Sequence, residues 1–261
     1  MTDDVYDIDT ASSALGDGVR HLDLTDRWNT PLGRPNGGYI LAAMLRGLGD
    51  EIGSDSPLVA AITYDRAPSV GPGTLTCRTR HAGRRIRSGE ATLMQDDRTI
   101  AQLSASFGER SGDRHLERGA PPELPPAESC VDPRGHGLPP GGIFDRVDYR
   151  LSDVPGFFMG SPSGESEYAL YMQLRDGRPI DRPALAFLCD AFAPPALELE
   201  GVSNSMTIQL TTHLYDVPAP GWLAARFTTR HVTGEFHDED CELWDSTGRL
   251  VAQSRQLALL V

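Results

Sequence analysis

One carboxylate stands alone in an apolar stretch. Residues 184–197 read Ala-Leu-Ala-Phe-Leu-Cys-Asp-Ala-Phe-Ala-Pro-Pro-Ala-Leu, so Asp190 is set among thirteen apolar residues. A helix is expected over 184–192. A helix that is apolar all round is buried, and an unpaired buried carboxylate is costly. Leu185, Leu188, Cys189 and Phe192 share one stripe of this helix, and Asp190 lies off it. Two readings follow. Asp190 caps a neighbouring loop or reaches solvent, or it sits in a pocket with a shifted pKa, suited to general-base work.

Other groups stand where chemistry is possible. Residues 204–215 alternate as a strand, with Met206, Ile208 and Leu210 on one face and Ser205, Thr207, Gln209, Thr211 and His213 on the other. A Thr in a strand usually reflects β-propensity alone. In the last strand Gln256 shares a face with Leu250, Ala252, Ala258 and Leu260, and a buried Gln needs hydrogen-bond partners. Gly37 and Gly38 open an apolar helix-like stretch over 37–48, with Asn36 as N-cap. There the free N–H groups favour negative charge and could polarise a carbonyl oxygen. Simple packing of the helix start explains the glycines equally well. Residues 81–87 are the densest basic run; Arg84 and Arg85 either hold phosphates or belong to a solvated hairpin. The acidic run at 238–240 reads as a solvated turn.

Several chemistries are absent. Pro162 occupies the position where a nucleophile elbow needs Ser, and there is no P-loop or GxGxxG. The seven His residues show no metal-ligand spacing, so no metal is expected. The four Cys residues form no CxxC pair and read as reduced thiols.

The elements that must position these groups occur twice. Gly73, His81 and Gln102 recur as Gly221, His231 and Gln253, at offsets of 148, 150 and 151 residues. Each copy reads as a strand, a buried helix, then antiparallel strands. That order suits a curved antiparallel sheet around one helix, and not a parallel α/β sheet. Residues 109–142 are Pro-rich and charged, without sustained periodicity, and read as a linker between residues 1–108 and 143–261. Matching the copies sets Asp190 against Ala42, Thr207 against Val59 and Gln256 against Ala105. One copy carries the functional groups and the other is scaffold.

The chain has 261 residues, 39% hydrophobic content and a net charge of −13. Such acidity argues against general nucleic-acid binding, which needs clustered Lys and Arg. No apolar run approaches the ~20 residues of a membrane span. Residues 1–9 are acidic and lack the pattern of a signal peptide, so a cytoplasmic location is expected.

The order of elements resembles the double-hotdog acyl-CoA thioesterases of the thioesterase II family, from about residue 20 to 260. Leu188, Cys189 and Asp190 look like the segment carrying that family's catalytic aspartate. Met206, Thr207 and Ile208 resemble the segment carrying its catalytic Thr or Ser, and residues 250–256 resemble the strand whose Gln completes the set. The resemblance implies an α+β double hotdog, with an N-terminal hotdog over 1–108 and a C-terminal one over 143–261. It implies hydrolysis of acyl-CoA by a water that Asp190 activates and Thr207 and Gln256 orient. Gly37 or Gly38 would stabilise the oxyanion, and the acyl chain would lie in an apolar tunnel between helix and sheet. No cofactor is implied beyond the coenzyme A of the substrate, and a homodimer or homotetramer is expected. The competing expectations are a non-catalytic acyl-CoA binder and a hotdog enoyl-CoA hydratase. Residues after Thr207 depart from the family's aromatic and basic pattern, which bears on substrate preference.

Overall fold

The computed structural model describes residues 4–111, 116–199 and 201–261. A short helix α1 (Val5–Thr10) precedes strands β1 (Ser13–Gly16) and β2 (Val19–Leu24). Helix α2 (Gly37–Ile52) follows, then β3 (Pro57–Tyr64), β4 (Gly71–Ala82), β5 (Arg87–Gln95) and β6 (Arg98–Phe107). The second half holds β7 (Val147–Leu151), β8 (Glu167–Leu174), helix α3 (Arg182–Leu188), β9 (Ser205–Leu214), β10 (Leu223–Thr228), β11 (Val232–Thr233), β12 (Phe236–Trp244) and β13 (Leu250–Leu260). The described part of the expected linker carries no strand or α-helix; it holds a 3-10 turn at Ala127–Ser129, isolated bridges at Val131 and between Arg134 and Leu138, and at Gly142 the start of a second 3-10 turn.

All strands join one antiparallel sheet, ordered β1-β2-β4-β5-β6-β3-β9-β13-β12-β10-β8-β7, with β11 on β12. The copies meet where β3 pairs with β9, Val59 opposite His213 and Thr63 opposite Gln209. On either side of that seam the strand order repeats, β3-β6-β5-β4-β2 against β9-β13-β12-β10-β8. The repeat legible in the sequence is thus a pseudo-symmetric sheet.

Helix α2 packs against β2 to β6, α3 packs against β9 and β13, and the two helices pack on each other. Residues 39–45 are all buried, as their continuous apolar character requires. The Asn36 side chain caps α2 by accepting from Tyr39 N–H (3.0 Å). Gly53, with φ of 70°, closes it in the left-handed conformation that glycine tolerates.

Helix α3 is shorter than the 184–192 periodicity predicts. Asp181 caps it through Ala184 N–H (2.8 Å), and Leu188 ends it. The chain then tightens, Asp190 N–H donating to Phe187 O (3.0 Å). Pro194 and Pro195 follow and bar further helix. Asp190 therefore lies in the turn beyond the helix, which frees it from the helical stripe.

Candidate active site

The turn after α3 delivers Asp190 to the N-terminus of α2, across 152 residues of sequence. Gly38 N–H donates to Asp190 Oδ2 (2.7 Å). Asn36 Nδ2 donates to Asp190 O (2.8 Å) and to Oδ2 (3.2 Å). Asn36 thus caps its helix with its oxygen and holds the carboxylate with its nitrogen. A Cβ on Gly38 would stand 2.6 Å from Phe187 O and 2.9 Å from Asp190 Cβ, so only glycine allows the approach. On Gly37 it would stand 3.0 Å from both Asp190 Oδ2 and Tyr64 Oη.

Two influences on the Asp190 carboxyl oppose each other. The bonds from Gly38, Asn36 and Gln256 favour the charged form, as does the helix dipole. Desolvation favours the neutral form and wins, pushing the pKa up to about 6. The residue as a whole is half-buried, while its carboxyl group is desolvated. A carboxylate so placed is ionised at neutral pH and is a stronger base than an exposed one.

Thr207 and Gln256 are brought together: Thr207 Oγ1 donates to Gln256 Oε1 (2.6 Å). Simple alternation puts Thr207 on the face of Thr211 and His213, and the structure corrects this. Leu210 pairs with Gln256, but Thr207 pairs with Ala258, and Ile208 has no counterpart on β13. This β-bulge turns Thr207 onto the inner face with buried Leu210 and Thr212.

Two neighbours were not singled out from the sequence. Tyr64 Oη donates to Gly37 O (2.7 Å), and burial together with the Asp190 charge pushes its phenol well up. Glu239 is the larger surprise. The acidic run at 238–240 lies within β12, not in a solvated turn, because residues 237, 239, 241 and 243 alternate inward. Glu239 is 2% exposed, opposite Gln256, and accepts from Gln256 Nε2 (2.7 Å). Asp238 and Asp240 point outward and pair with Arg255 and Arg230.

Of the remaining expected residues, Gly37 and Gly38 belong to this cluster and Arg84 and Arg85 do not. Gly38 N–H is committed to Asp190, which leaves Gly37 N–H without a protein acceptor among the described residues. Arg84 and Arg85 are exposed on the β4–β5 hairpin. That hairpin abuts the C-terminal end of α2, where Arg87 donates to Ile52 O and Gly53 O (both 2.9 Å). The 16 residues of α2 separate it from Asp190 by about 24 Å of helix. Surface cavities of about 400 and 270 Å³ are lined by groups such as Glu51 and Cys77, and His213 and Arg226; neither lining includes Asp190, Thr207 or Gln256.

Known proteins share this fold. The profile of the acyl-CoA thioesterase N-terminal domain matches residues 24–108, and that of the C-terminal domain matches residues 121–260. An uncharacterised protein of Mycobacterium tuberculosis is 28% identical over 78% of this chain and 76% of its own. A candidate thioesterase II from Thermobifida fusca superimposes with a TM-score of 0.86 at 29% identity, covering 98% of this chain and 97% of that one. A hotdog-fold protein from Alicyclobacillus acidocaldarius gives 0.87 at 23% identity, over 99% and 98%, and shows the fold. With both family profiles matched in order across most of its length, this chain is a double-hotdog protein of the acyl-CoA thioesterase family.

Proposed function

We propose that the protein hydrolyses acyl-CoA thioesters to a free fatty acid and coenzyme A, with one working site per chain. The observation that carries this reading is the desolvated Asp190 carboxylate, held at the α2 N-terminus beside the Thr207–Gln256 pair. In the reading, one water donates a hydrogen bond to Asp190 and another to Thr207 Oγ1, whose own proton is already given to Gln256. The water's lone pair is then directed at the thioester carbonyl. Asp190 takes the proton as the C–O bond forms, and the C–S bond breaks to release coenzyme A as thiolate. A positioned general base contributes about 10²–10⁴-fold in rate. Gly37 N–H, at the positive end of α2 and without a protein acceptor among the described residues, is the donor assigned to the developing oxyanion in this reading.

Thr207 and Gln256 orient the water, and Gly37 and Gly38 form the wall supplied by the other half. Arg84 and Arg85 stand outside this constellation, exposed at the other end of α2. No cofactor is required for hydrolysis. No described helix is long and apolar enough to cross a membrane. A cytoplasmic homodimer or homotetramer is part of the proposal. No His hydrogen-bonds Asp190 among the described residues, which disfavours an Asp-His hydratase. The test is a panel of acyl-CoAs of different chain length, followed by free-thiol release. Turnover of at least one member supports hydrolysis, whereas tight binding without thiol release identifies a non-catalytic acyl-CoA binder.

A further inference from the structure

We propose that Glu239 is a positioning residue for this hydrolysis: by accepting from Gln256 Nε2 it fixes the direction of the hydrogen-bond chain that ends at Thr207. The inference rests on the hydrolytic reading of the site. The chain runs in one direction, Thr207 Oγ1 to Gln256 Oε1 (2.6 Å) and Gln256 Nε2 to Glu239 Oε1 (2.7 Å). An amide has one acceptor end and one donor end. With the Glu239 proton on the unpartnered Oε2, its Oε1 accepts from Nε2, and together with the bond from Gln256 to Asp190 this turns the Gln256 carbonyl toward Thr207. Thr207 then gives its proton to Gln256 and keeps its lone pairs for the water. Were the amide turned over, Thr207 would accept from Gln256 and donate to the water, occupying the lone pair needed for attack.

Glu239 also has a second, electrical effect. It is buried, and no cation pairs with it among the described residues. The groups that face it are Gln256 from β13, Asp190 from the turn after α3, and Tyr168 from β8, whose hydroxyl donates to Glu198. Asp238, Asp240 and Cys241 are its neighbours on β12. Its Oε2 has no protein partner. Desolvation, then the Asp190 charge, pushes its carboxyl up to about 8, so it is neutral when Asp190 is ionised at pH 7. Ionisation above that range puts a second negative charge beside the reacting carbonyl and opposes the oxyanion. The two carboxyls titrate as an interacting pair, Asp190 first.

The experiment is the pH dependence of kcat and KM for thiol release by wild type, Glu239→Gln, Glu239→Leu and Asp190→Asn. Wild type should gain activity through about pH 6 and lose it above about pH 8. Glu239→Leu should lose kcat by about 10–10²-fold, with KM changed less than about threefold, because the water is mispositioned rather than unbound. Glu239→Gln retains an acceptor of the same shape, so it should recover most of that kcat and lack the alkaline fall. An unchanged alkaline limb in Glu239→Gln overturns the inference, as does wild-type kcat in a folded Glu239→Leu. If Glu239→Leu does not fold, the Glu239→Gln profile decides. Undiminished thiol release by Asp190→Asn instead overturns the hydrolytic reading itself.

Discussion

Gly38 N–H donates to Asp190 Oδ2 over 2.7 Å, so the helix start of one half holds the carboxylate of the other. The contact ties the N-terminal half of the chain to the C-terminal half. It also makes Gly38→Ala a sharp probe. The added methyl would meet the Phe187 carbonyl at 2.6 Å, a backbone atom that cannot simply turn aside. We expect a loss of roughly 1–3 kcal/mol, as for overpacked cores, together with a fall in kcat. Gly37→Ala should be milder, because its neighbours are side-chain ends at 3.0 Å. Denaturant midpoints and thiol-release rates measure both.

Asp190→Asn should separate stability from activity. The folded pKa of Asp190 is raised from 3.8 to about 6. Its favourable contribution is therefore present below about pH 3.8 and is lost as pH rises through about 6. Above that, the charged carboxylate is a net cost, about 3 kcal/mol at most for a shift of this size. Asn has an acceptor for Gly38 and Asn36 and carries no charge. Stability at pH 7.5 should rise by about 1–3 kcal/mol, and the gain should disappear near pH 4. A destabilised variant at pH 7.5 would contradict the burial of this charge.

Asn36 should tune the acid limb of activity. Asn36→Ala removes both the cap to Tyr39 N–H and the donor to Asp190. It should cost about 1 kcal/mol of stability and move the acid limb to higher pH. Asn36→Asp keeps the cap but sets a second carboxylate against Asp190. It should preserve more stability and shift the limb further upward. Paired pH profiles and melting curves distinguish the two.

Much of this site was legible in the sequence, because two of its groups violate an apolar pattern. Asp190 and Gln256 are polar residues where only apolar ones belong, and both proved to be held by specific partners. Thr207 was legible only by resemblance. Its inward direction depends on the bulge at Ile208, which no two-residue alternation can reveal. Glu239 was hidden for a related reason. Three consecutive acids look solvated, yet two face Arg230 and Arg255 outward while the middle one points inward. The signal was there in the company Glu239 keeps on one face, His237, Cys241 and Leu243. The basic run with Arg84 and Arg85 was plain in the sequence, but charge density along the chain says nothing of which end of α2 a hairpin meets.

Thr207 should depend on its hydroxyl rather than its shape. Thr207→Val keeps the branched side chain and removes both the donor to Gln256 and the acceptor for the water. We expect kcat to fall by about 10–10²-fold with the fold intact, and Thr207→Ser to restore most of it. Equal activity in the Val variant would remove Thr207 from the chemistry.

The central claim is that Asp190 is the general base for thioester hydrolysis. It is tested most directly by thiol release from the best acyl-CoA substrate at pH 7.5, comparing wild type with Asp190→Asn under saturating conditions. The account predicts a folded variant, with kcat lower by about 10²–10⁴-fold. A folded Asp190→Asn that releases thiol at the wild-type rate would contradict it.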